Sequence, residues 1–175
     1  MSRPTLIAVA VTLALGGCSG DDASTESAAT TIAVDVEWPI VEQIDDAVIA
    51  LEAELGGPQE YFEINATAQL VNLFVALEEG TQVQPWVYLD GELTSEDSQP
   101  AQGGTLRGVE VDFDAATIFA QLQTALPGAT VESFYIHGNG EGAVQYGALL
   151  TTAQGGAIDV QLRSDGQIIS TEPLN

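Results

Sequence analysis

Glu60-Tyr61-Phe62-Glu63-Ile64-Asn65-Ala66-Thr67 opens the stretch that decides the fold, residues 60–94. Phe62, Ile64 and Ala66 recur with a period of two, which predicts a strand with one buried face. Leu70 to Leu77 is a nearly continuous apolar run of strand length. Glu78-Glu79-Gly80-Thr81 reads as a turn. Val83 to Leu89 is a third strand, and Pro85 within it points to an edge or a bulge, because proline cannot donate to a ladder. Asp90-Gly91 is a tight-hairpin signal leading into a short return strand, Glu92 to Thr94.

Upstream, Ile40, Ile44, Val48, Leu51 and Leu55 recur at helical spacing and form one apolar stripe. Pro39 suits a first helical turn, and Gly56-Gly57-Pro58 stops the helix. Downstream, Ser95 to Gly104 has the composition of a linker. Thr105 to Val111 is a candidate strand. Asp114 reads as the N-cap of a helix from Ala115 to Leu126, with Ile118, Phe119, Leu122 and Leu126 inward. Val131 to His137, Ala143 to Thr152, Ile158 to Arg163 and Gln167 to Ser170 read as strands, separated by glycine turns.

The two halves match under a shift of about 71–75 residues, which carries Val48, Leu51 and Leu55 onto Phe119, Leu122 and Leu126. The expected fold class is therefore α+β: two layers, built from tandem helix-plus-four-strand antiparallel repeats. The repeats span 35–94 and 105–175, joined by the linker 95–104. This layout is loosely similar to tandem helix-plus-sheet proteins such as the PepSY-like and β-lactamase-inhibitor-like groups. The paired cysteines of the inhibitor group are missing here.

Leu15-Gly16-Gly17-Cys18 ends the apolar stretch Leu6 to Leu15, which follows Arg3. The stretch is too short to span a bilayer and has the layout of a signal peptide. The four residues resemble the lipobox of bacterial lipoproteins, with Gly16 where alanine or serine is commoner. The resemblance implies a signal peptide over 1–17, a diacylglycerol on Cys18, and an extracytoplasmic protein anchored by lipid to a bacterial cell membrane or outer membrane. Residues 18–34 are small, polar and acidic, and their composition predicts a flexible tether.

Charge narrows the function. From Cys18 onward two arginines, Arg107 and Arg163, face 26 acids, a formal charge of −24. Such a surface repels phosphates and anionic headgroups, so nucleic acid is not an expected partner and membrane contact is left to the lipid. Mutual repulsion favours a monomer.

The chain has one cysteine and one histidine, too few for the usual zinc site, and no Gly-x-Ser-x-Gly stretch. His137, at a strand end beside Gly138–Gly142, reads as exposed or structural. Glu110, Asp112 and Asp114 lack an EF-hand pattern. No catalytic residue, metal or cofactor is expected. The expected function is a non-catalytic binding or interaction module with a protein, peptide or glycan partner. Trp86, Tyr88, Tyr135 and Tyr146 are the candidate binding surface, since amphipathic aromatics serve flat recognition faces. Two alternatives are a cell-envelope glycan hydrolase using paired carboxylates, and a protein inhibitor of an extracellular enzyme.

Overall fold

The computed structural model describes residues 38–174. Cys18, the signal peptide expected over 1–17 and the tether expected over 18–34 lie outside these residues. The chain divides into two units, Met1–Val34 and Asp35–Asn175, and the description concerns the second.

Ten strands form one sheet: β1 (Glu60–Thr67), β2 (Val71–Leu77), β3 (Gln82–Leu89), β4 (Glu92–Ser95), β5 (Gln99–Pro100), β6 (Leu106–Arg107), β7 (Thr130–Gly138), β8 (Val144–Thr151), β9 (Ala157–Leu162) and β10 (Ile168–Leu174). Their order is β10-β9-β8-β7-β1-β2-β3-β4, with β5 on the edge of β3 and β6 on β1. Every pair is antiparallel. Among the described residues there are two α-helices, α1 (Ile44–Leu55) and α2 (Ala115–Ala125), and a 3-10 turn at Val41–Gln43 precedes α1.

This overturns the expected two-layer α+β tandem of helix-plus-four-strand repeats. The finding that overturns it is the weight of sheet: ten strands against two helices of 12 and 11 residues, the strands joined into one sheet by the pairing of β1 with β7, which sets Glu63 to Thr67 against His137 to Ser133. Among the described residues, the strands supply 16 of 23 buried apolar side chains and the helices supply six. At about 1.5–3 kcal/mol for each large apolar side chain removed from water, the sheet dominates the core and the helices cap it.

Register fixes which residues share a face. Trp86, Leu73, Ile64, Ile136, Tyr146 and Leu162 lie opposite one another from β3 to β9. A second row runs through Tyr88, Val71, Ala66, Phe134, Ala148 and Val160. Both rows pack in the same cluster as Ile44, Leu51, Ile118 and Leu122 of the helices. Among the described residues, both helices are therefore on one side of the sheet, and the alternate residues form a face that carries neither of them, here called the bare face.

Local irregularities set what that bare face presents. β1 carries a bulge between Tyr61 and Glu63, so Phe62 is the extra residue. The bulge turns Tyr61 into the core alongside Ile64 and Ala66, displacing Phe62 from the alternation expected for it. Residues 95–104, expected as a linker, supply β5 and then cross from the β3 edge to the β7 side of β1. There Gly104 bridges Gly138. A side chain at Gly104 would collide with the Gly140 backbone, so only glycine permits this approach.

Candidate functional site

The bare face has two central rows. One runs Pro85, Phe74, Glu63, His137, Gln145; the other runs Val87, Asn72, Asn65, Tyr135, Gly147, Gln161. The side chains are half-buried by their neighbours. They are also tied together. Asn72 Nδ2 donates to Asn65 Oδ1 at 2.7 Å, and Asn65 Nδ2 donates to Glu63 Oε1 at 2.6 Å.

Tyr135 spans the far half of the face. Its hydroxyl donates to Asp159 Oδ1 at 2.6 Å, two strands away. That reach requires Gly147 on the intervening β8, because any side chain there would collide with the Tyr135 ring. The ring also meets His137 edge-on, with centroids 5.7 Å apart. Burial first, and the bond to Asp159 second, push the Tyr135 phenol well above its ordinary pKa, so it stays a donor.

A hollow of about 300 Å³ lies between the sheet and the crossing segment. Phe62, Phe74, Val83 and Ala101 give it apolar walls, and Glu63, Gln99 and Gln102 give it polar groups. The bulge supplies Phe62, the register supplies Phe74 and Glu63, and the β3–β5 pairing holds Gln99 and Ala101.

The four aromatics singled out by sequence do not gather on one surface. Trp86 and Tyr88 are on the helix side and pack against the core. The Trp86 indole N–H is buried without a hydrogen-bond partner among the described residues. Tyr146 is 5% exposed. Its hydroxyl donates to the Asp112 carbonyl at 2.8 Å and accepts from the Asp112 N–H at 3.1 Å, tying down the approach to α2. Tyr135 alone of the four is on the bare face.

Sequence reading assigns no role in binding to Glu63, Asn65, Asn72, Phe74, Asp159 or His137. The polar positions of β1 were visible as its outward set. Asn72 and Phe74 were hidden inside the apolar run of β2.

Beyond Cys18, Arg107 and Arg163 face 26 acids. The Arg107 guanidinium is engaged by Glu110 at 2.8 Å, and this pairing holds the Glu110 carboxyl below its ordinary range. Asp114 caps α2 through the Thr117 N–H, as expected, and is also held low by that bond. Among the described residues, no group of three or more His, Cys, Asp and Glu side chains could hold a metal ion. The chain matches no protein-family model, no curated protein and no solved structure.

Proposed function

We propose that this chain is a lipid-anchored, extracytoplasmic binding module that recognises its partner without catalysis, through the bare face of its sheet. One observation carries the reading. Both helices pack on one side, while the other presents side chains already fixed by hydrogen bonds from Asn72 to Glu63 and from Tyr135 to Asp159. Groups held in place before binding lose little conformational freedom on binding, which is where affinity is usually lost. Amides, a carboxylate, a phenol and an imidazole beside aromatic rings suit a polar partner laid flat on the sheet.

The test compares two arginine substitutions in the full chain. Asn65→Arg breaks the array at its centre, whereas Ala120→Arg adds the same charge on the exposed side of α2. Bacterial envelope extract is passed over each immobilised protein. Material retained by the unmodified chain and by Ala120→Arg, but lost from Asn65→Arg, supports the reading; equal retention by both variants sinks it.

The anchor rests on the resemblance of Leu15-Gly16-Gly17-Cys18 to a lipobox and has its own test. Cys18→Ser is expected to abolish metabolic lipid labelling and release the chain from membranes. Persistent labelling would contradict the anchor and leave the binding face untouched.

A further inference from the structure

The hollow beside Glu63 has a chemistry that narrows the partner. Its volume of about 300 Å³ is at the lower limit of pockets that enclose small ligands, so it suits one side chain rather than a whole molecule. Its walls are two phenyl rings, a valine and an alanine, and its carboxylate is Glu63. Asn65 holds Glu63 Oε1, which fixes the carboxylate and leaves Oε2 for a ligand. Apolar walls leading to an acid match an aliphatic stem carrying a cation, and phenyl faces add attraction for that cation.

The wider field selects in the same direction. The chain carries 26 acids against three arginines; Arg107 is already paired with Glu110, and Arg163, exposed just past the end of β9, stands three strands away from Glu63. Asp159 and Glu172 lie opposite each other across β9 and β10, on the same face as Glu63. An anionic or neutral polymer gains nothing from this potential, whereas a polycation is drawn toward it.

We propose that the partner is a basic, extended peptide segment whose lysine or arginine side chain enters the hollow against Glu63. This deepens the open-face reading and rests on it. The peptide backbone lies across the bare face, and neighbouring basic residues meet Asp159 and Glu172.

The experiment is an anisotropy titration of the full chain with a labelled peptide of four alternating glycine–arginine pairs. The matching glycine–glutamate peptide is the control. Four variants separate the hollow from the general field. Glu63→Gln removes the carboxylate, Ala101→Leu fills the hollow without changing charge, and Phe74→Leu removes a ring while keeping an apolar side chain. Asp45→Asn removes one charge on α1.

The arginine peptide is expected to bind and the glutamate peptide to fail. Glu63→Gln and Ala101→Leu should each weaken binding by about tenfold or more, Phe74→Leu by about threefold or more, and Asp45→Asn by less than about twofold. Far-UV circular dichroism establishes that each variant is folded. No binding, or equal losses for Glu63→Gln and Asp45→Asn, or indifference to both Ala101→Leu and Phe74→Leu, would overturn the proposal. If the peptide fails while envelope capture still depends on Asn65, only the identity of the partner is lost. If capture is indifferent to Asn65→Arg, the open-face reading itself fails.

Discussion

Gly147 and Tyr135 act as one unit. The glycine leaves room for the ring, and the ring carries its hydroxyl to Asp159. Gly147→Ala must push the ring aside, and overpacking of this kind costs about 1–3 kcal/mol. Tyr135→Phe keeps the ring and loses only the hydrogen bond to the Asp159 carboxylate, about 1.5–3 kcal/mol. Denaturant unfolding is expected to show a loss of this size for each variant; no loss for Tyr135→Phe would contradict the bond to Asp159. Tyr61, Tyr135 and Tyr146 are all pushed above the ordinary phenol value of 10.0, in each case chiefly by burial. The fold therefore favours the neutral phenol. Their contribution is fully present below pH 10.0 and is lost as pH rises through the elevated values. In an alkaline titration, the near-ultraviolet absorbance of these tyrosinates should appear together with unfolding; ionisation of all three in a still-folded chain would contradict their placement. At this scale the sequence was informative about Asp114, whose capping role follows from its position before Ala115. It misled about Phe62. A bulge adds one residue without changing composition, so alternation alone could not tell Tyr61 from Phe62 as the buried partner of Ile64.

The helices stand on few contacts. α2 buries Ile118 and Leu122, and α1 buries Ile44, Ala47, Val48 and Leu51. Neither helix contains a basic residue, so the acids of α1 have no partner within it, and α2 contains no charged residue at all; packing on the sheet holds both, with the Asp114 cap adding to α2. Leu122→Ala is expected to cost about 2–5 kcal/mol, read from the shift of the denaturant midpoint. A loss well under 1 kcal/mol would mean that α2 is not seated where the structure puts it. The crossing segment shows what was illegible. Gln102-Gly103-Gly104 has the composition of a linker, yet Gly104 is needed for backbone contact with Gly138 and Gly140. A glycine that permits flexibility and one that permits close approach look the same in a single sequence. Most strands were legible because period-two alternation and turn glycines bound them. The tail of β10, Thr171 to Leu174, lacked that alternation and was missed.

The scale of the whole unit is where expectation and structure part. Matching halves suggest two helix-plus-sheet repeats, because each helix is followed by strands in the chain. Register between distant strands cannot be read from either half alone, and β1–β7 pairing is such a register. One sheet with one buried cluster predicts one cooperative unfolding transition for residues 38–174, with calorimetric and van't Hoff enthalpies in agreement. Two resolved transitions would contradict the continuous sheet. The acidic surface repels itself, so added salt should raise the midpoint by screening that repulsion.

The central claim is that the face opposite the helices is the working surface, and hydroxyl-radical footprinting tests it most directly. In the free chain, Phe74, Tyr135 and His137 should be oxidised readily, while Tyr61, Phe134 and Tyr146 on the helix side stay protected. With partner bound, the first three should become protected while Ile49, 67% exposed on α1, is oxidised as before. Oxidation of Tyr146 to the same extent as Tyr135 in the free chain, or protection of Ile49 with Phe74 and His137 unchanged on binding, would contradict the account.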